Sequence, residues 1–197
     1  MPVDPLASLT HPPATVLPPE WFARPTVVVA ADLIGCLLCR QLADGRVVRA
    51  RISETEAYIG AVDPASHAHL RRRTARTEPM FARGGIFYVY FTYGIHDMLN
   101  LVTHVEGEPE AVLIRAAFVE GEDLRRCAGP AKLTKALAIT RALNTLPIEP
   151  ASGLWVEQDG CRPVVQVRPR IGIAYAGEAS GWLLRYIWAD HPSLSKK

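Results

Sequence analysis

The sequence predicts a single α+β domain built on a mainly antiparallel sheet. Three observations carry this. Apolar, β-rich segments recur at short spacing with turn-forming residues between them, which signals hairpins rather than long crossovers. Only two stretches suit a helix. The 197 residues contain no internal repeat and no shift in composition, so one core is expected.

In chain order, residues 1–20 hold six prolines and read as an extended or loosely docked N-terminal extension, with 21–197 as the domain proper. Thr26 is placed to cap a helix running to about Ile34, with Gly35 as its stop. Segments 37–42 and 47–58 flank Ala43-Asp44-Gly45, whose Asp-Gly supplies a hairpin turn. Residues 60–85 are loop-rich and carry His67, His69 and several arginines; a loop this long inside a compact domain is functional or disordered. A second hairpin spans 86–104 around Tyr93-Gly94, with Tyr88, Tyr90 and Thr92 on one face. Segment 111–119 is an apolar strand interrupted by Arg115. Gly129-Pro130-Ala131-Lys132 opens a helix to about Ile139, with N–H groups that suit an anion. Segments 154–156, 164–167, 171–174 and 183–188 read as short strands.

Composition excludes several classes. With 49% hydrophobic and 21% charged residues the chain is neither disordered nor fibrous. It has no 18-residue apolar run and no signal-peptide pattern near Met1, so a cytoplasmic protein is expected, nucleoid-associated if bacterial. Four scattered cysteines read as buried thiols, not as a disulfide framework or zinc site; no metal and no cofactor are expected. Net charge is only +2, but residues 69–85 carry five Arg against one Glu. That segment is a phosphate-contacting patch or a solvated loop.

The most informative stretch is 50–60. As a strand it places Ile52, Glu54, Glu56 and Tyr58 on one face, which suits either a solvated edge or a site that uses carboxylates. Arg115 in an apolar strand needs a buried carboxylate partner, and one of these Glu residues could supply it. Carboxylates, aromatics, a basic loop and an aromatic-tipped hairpin together suit a protein that handles bases and phosphates.

Glu54-Thr55-Glu56-Ala57-Tyr58, His67, Met80-Phe81, Tyr88-Val89-Tyr90, Tyr93-Gly94 and Asn100 resemble the alkyladenine (3-methyladenine) DNA glycosylases of the mammalian type. Leu113-Ile114-Arg115-Ala116, the Gly129–Leu133 run and Arg170-Ile171-Gly172-Ile173 match in the same order, so the resemblance covers about Trp21 to Ile187. It implies a curved sheet with flanking helices and a protruding hairpin, like a formyltransferase C-terminal domain. It implies a monofunctional enzyme that flips 3-methyladenine, 7-methylguanine, hypoxanthine or ethenoadenine out of duplex DNA and hydrolyses the N-glycosidic bond. Glu56 would activate the water, and Arg115 and the Ile171 carbonyl would help hold it, with Arg115 keeping Glu56 ionised. Tyr58, facing His67 and Tyr90, would sandwich the base, and Asn100 would exclude the 2-amino group of guanine. Tyr93 would fill the gap in the duplex, and Arg72, Arg76 and Lys132 would meet its backbone. Glu54 is expected to be structural, and the protein a monomer. Competing expectations are a non-cleaving damaged-DNA binder, a lyase using Lys132, and a zinc enzyme using His67, His69 and the cysteines.

Overall fold

The computed structural model describes residues 13–92 and 96–195. Strand β1 (Thr15–Val16) leads into helix α1 (Thr26–Asp32), and β2 (Leu37–Gln41) and β3 (Val47–Tyr58) form the first hairpin. Residues 60–85 hold three short 3₁₀ turns in place of a featureless loop. The hairpin β4 (Phe87–Thr92) and β5 (His96–Thr103) is followed by β6 (Glu110–Phe118), helix α2 (Pro130–Ala136), β7 (Leu154–Gln158), β8 (Val165–Arg168) and β9 (Arg185–Trp188). Among the described residues nine strands form one antiparallel sheet in the order β1-β7-β2-β3-β6-β5-β4, with β9 beside the second half of β3 and β8 outside it.

The two predicted helices and both hairpins are present. The Asp44-Gly45 turn closes as its residues dictate: Gly45 takes φ +83°, and the Arg46 N–H donates to the Asp44 carboxylate at 3.0 Å. The core lies where α1 and α2 cover one face of the sheet, and it holds Phe22, Leu33, Leu38, Phe87, Leu101, Ile114 and Leu133.

Four expectations change. Thr26 does not cap α1, because Pro25 occupies that position and the Thr26 hydroxyl instead bonds Thr103 at 2.6 Å in the interior. Residues 171–174 are not a strand: the Ile171 N–H is taken by a carboxylate, and Gly172 reverses the chain at φ +79°. The proline-rich start docks from Thr15 onward, where β1 pairs with β7 and Leu17 is buried. Gly85 permits this, since a Cβ there would lie 2.5 Å from the Pro19 carbonyl oxygen. Residues 1–12, which hold the other part of that extension, lie outside the described residues.

The fourth change shapes the site. Ile52 pairs with Ala117 and Glu54 with Ala116, so Ser53 is an extra residue in β3; Thr55 then pairs with Ile114, so Arg115 is an extra residue in β6. A bulge in one strand reverses which face its later residues occupy. Ile52 therefore joins the core with Ala50 and Ala57, and does not share a face with Glu54, Glu56 and Tyr58. Thr55, on the core side, anchors β3 to α1 through the Ala30 carbonyl at 2.8 Å.

Candidate active site

The paired bulges bring Glu56 and Arg115 together. Glu56 is fully buried. Its Oε1 accepts from the Ile171 N–H at 2.8 Å and lies 3.5 Å from Arg115 Nη1, while Oε2 accepts from the Tyr58 hydroxyl at 2.9 Å. Burial pushes the Glu56 carboxyl above the usual range; Arg115, the Ile171 N–H and Tyr58 oppose that rise without cancelling it. Arg115 thus favours the ionised form of Glu56, as expected of a neighbouring cation, while burial outweighs it in the net direction. Here the carboxylate is a stronger base than one in water, which suits proton abstraction. Ile171 meets it through its N–H.

Glu54, also fully buried, points into a second set of partners: Arg115, Arg185 and Ser195. The carboxylate expected to be structural is thus saturated by donors.

Tyr58 is held from beneath. The Arg170 guanidinium carbon sits 4.7 Å from its ring centroid, and Arg170 is itself locked to Asp63 by two bonds, one of them Nη2 to Oδ1 at 2.8 Å. Arg170 Nη1 also donates to the Ala57 carbonyl at 3.0 Å, and Asp63 accepts from the N–H of Ala65 at 2.9 Å. Both ion-pair side chains are wholly buried. Burial, with Glu56 alongside, raises the Tyr58 phenol well above its ordinary value, so it stays a hydrogen-bond donor.

Beside Glu56, a cavity of about 50 Å³ is lined by Tyr58, His67, Tyr88, Tyr90, Asn100 and Tyr175, among others. The His67 and Tyr90 rings meet edge to face at 4.6 Å. Asn100 is buried, and its amide donates to the Tyr88 carbonyl at 3.2 Å, which ties this lining residue of β5 to β4. Tyr175, 71% exposed, stands on the cavity's solvent side with its hydroxyl donating to the Ala65 carbonyl at 3.3 Å. Beyond it opens a cavity of about 600 Å³ that shares His67 and Tyr175 and is rimmed by Arg72 and Arg76.

His67 Nδ1 lies 3.0 Å from the Tyr88 hydroxyl. Burial, aided by the nearby Arg76 charge, lowers its pKa from 6.5 to about 4, so the ring is neutral at physiological pH. As pH falls below 6.5 the unfolded chain takes up the proton first, so the neutral ring's contribution to stability is present above 6.5 and lost toward 4. We expect His67→Gln to lose less stability than the native protein between pH 7 and 4.5, measured by urea unfolding at each pH.

The arginine-rich segment is less free than its composition suggests. Arg71 pairs with Glu108 and Arg73 with Glu78, whereas Arg72 and Arg76 stay exposed at the cavity rim, Arg76 lying 4.9 Å from the Tyr90 ring centroid. Lys132 is exposed on the first turn of α2. Tyr93 lies outside the described residues. Among the described residues no three His, Cys, Asp or Glu side chains are grouped so as to hold a metal ion. No described helix is long and apolar enough to cross a membrane. Sequence reasoning missed the bond from Tyr58 to Glu56, although an i, i+2 spacing on one strand face is a usable signal for it. It also missed Tyr88 and Tyr175 as lining residues and the Asp63–Arg170 pair, for which no local signal exists.

A buried carboxylate flanked by a guanidinium thus stands beside an aromatic cavity with a basic rim, a combination whose chemistry suits a flat, aromatic group and negative charge near it. The methylpurine-DNA glycosylase family model matches residues 20–192, and the chain belongs to that family. It is a DNA glycosylase and acts on DNA. A protein of Psychrobacter cryohalolentis is 58% identical over 205 residues, covering 93% of this chain and 97% of its own. Relatives from Methanocella arvoryzae (43% identical; 92% of this chain, 96% of its own) and Bdellovibrio bacteriovorus (42%; 92% and 100%) are similar throughout. All three carry the provisional name 3-methyladenine DNA glycosylase.

Proposed function

We propose that this protein is a monofunctional glycosylase that extrudes alkylated purines from duplex DNA and hydrolyses their N-glycosidic bond with water activated by Glu56. The observation that carries this reading is Glu56 itself: wholly buried, made more basic by burial, and oriented by Tyr58, Ile171 and Arg115 at the edge of the aromatic cavity. A bond forms between the water oxygen and C1′ as the C1′–N bond breaks. The bonding pair leaves with the purine, and the water proton passes to Glu56.

Alkylation at N3 or N7 makes the purine cationic, and therefore both a better leaving group and a better stacking partner for tyrosine rings. Extrusion costs a few kcal/mol, less for a poorly paired base, so selection begins before chemistry. Tyr58, His67 and Tyr90 would hold the base, Asn100 would meet its edge, and Ile171 would border it. Tyr93 would fill the gap in the duplex, while Arg72, Arg76 and Lys132 would contact phosphates. The catalytic unit would be 21–197, acting as a monomer. Hypoxanthine and ethenoadenine, which are neutral, are the weaker candidates among the substrates.

Tyr90→Leu separates these classes. It should cost a cationic lesion about 0.5–2 kcal/mol of cation–π stacking and a neutral one clearly less, read as single-turnover rates on duplexes carrying one lesion each. The reading as a whole is tested by product analysis on duplex DNA bearing 3-methyladenine. Free base plus an intact strand with an abasic site, and no protein–DNA adduct trapped by borohydride, is the expected outcome. A trapped adduct would point to an amine nucleophile and overturn it.

A further inference from the structure

A second buried carboxylate stands behind the first. Glu54 Oε1 accepts from Arg185 Nη1 at 3.0 Å and from the Ser195 hydroxyl at 3.0 Å, and Oε2 accepts from the Ser195 N–H at 2.7 Å. Arg115 Nε lies 3.2 Å from Glu54 Oε1 and donates to Ser195 Oγ at 2.9 Å. Its other end, Nη1, faces Glu56 at 3.5 Å. One guanidinium is therefore stretched between two carboxylates, and the Ser195 hydroxyl sits on its Nε side, accepting from the arginine while donating to Glu54.

The segment carrying Ser195 is fastened to the same bulge that creates the site. Ser193 Oγ donates to the hydroxyl of the bulged Ser53 at 2.8 Å, and both side chains are fully buried. His191 stacks on Phe118 of β6 at 4.3 Å and 21°. Arg185, on β9, also donates to the Pro169 carbonyl at 2.8 Å, just before the Arg170-Ile171 pair that supports Tyr58 and Glu56.

A guanidinium and a lone carboxylate favour a planar, two-bonded pair. Nothing in the chemistry of Glu54 and Arg115 alone prevents Arg115 from turning into such a pair and withdrawing Nη1 from Glu56. Three donors already on Glu54, and an acceptor placed on Arg115 Nε, remove that alternative.

We propose that Ser195, with Glu54 and Arg185, forms a clamp that holds the Arg115 guanidinium toward Glu56, making Ser195 a positioning residue for the glycosylase reaction. This rests on Glu56 being the base. The charged or titratable groups that face Glu56 are Arg115 from β6, Glu54 and Tyr58 from β3, Tyr90 from β4 and Arg170 from the segment after β8. Of these, the clamp controls Arg115.

The test compares native protein, Ser195→Ala, Ser195→Thr and Glu56→Gln on a duplex bearing 3-methyladenine. Single-turnover rates are measured across pH, per active site titrated by DNA binding. Ser195→Ala should bind the duplex like the native protein and release base about tenfold or more slowly, as misplaced groups do. Its rate should also fall off at higher pH than the native rate, because a retreating Arg115 lets the Glu56 pKa rise further. Ser195→Thr, which keeps the hydroxyl, should restore both. A merely structural serine would lower the active fraction and leave the per-site rate and its pH dependence unmoved, and that result overturns the clamp. If Glu56→Gln retained the native rate and pH profile, the failure would lie with Glu56 as base instead.

Discussion

Glu56→Gln should bind a duplex carrying one alkylated purine about as tightly as the native protein and release the base about 10²–10⁴-fold more slowly. Glutamine has nearly the same volume, and its amide oxygen still accepts from the Tyr58 hydroxyl or from the Ile171 N–H. It does not accept a proton from water. Affinity should survive because the groups proposed to hold DNA, the cavity aromatics and the rim arginines Arg72 and Arg76, are not altered. A gel shift on the intact lesion duplex, read beside single-turnover base release, separates the two effects. Loss of binding in step with loss of rate would mean that Glu56 shapes the cavity and does not act on water.

The largest loss of stability is expected at Asp63. Asp63→Ala removes the carboxylate that pairs with Arg170 through two bonds and leaves a guanidinium buried at a point where its ion-pair side-chain exposure is zero. Breaking a buried pair from one side costs about 3–5 kcal/mol, far more than the pair contributes over apolar residues of the same size. The same change frees the N–H of Ala65, and it loosens the cation beneath the Tyr58 ring. Urea unfolding should therefore show a clear fall in midpoint, and the folded fraction should cleave poorly because Tyr58 orients Glu56. A variant as stable as the native protein would mean that solvent reaches Arg170.

These effects trace to different depths of the sequence. The hairpins were legible because their signals are local: Asp44-Gly45 fits one turn, and β-branched and aromatic residues fill the arm before Tyr93-Gly94 while the arm after it is largely apolar. Arg115 announced its need for a carboxylate because a charge inside an apolar strand has few other solutions. What stayed hidden depends on pairing between distant segments. Nothing near Ser53 marks it as a bulge; that follows from matching β3 to β6, where Ser53 and Arg115 compensate one another. Periodicity alone therefore put Ile52 on the wrong face. Residues 171–174 have strand-like composition, but the Glu56 carboxylate claims the Ile171 N–H and Gly172 turns the chain. Ser193 and Ser195 reach Ser53 and Glu54 across about 140 residues of sequence, a distance over which no spacing rule operates.

In the proposed mechanism the ionisation of one buried carboxylate sets the rate. This is tested most directly by the single-turnover rate of base release from 3-methyladenine duplex as a function of pH, with native protein and Glu56→Gln side by side. The native rate should fall as acid protonates Glu56, at a pH above that of an ordinary carboxylate because burial raises its pKa. The variant should be slow, with no fall attributable to that group. The same acid fall in both proteins would show that a group other than Glu56 supplies the base.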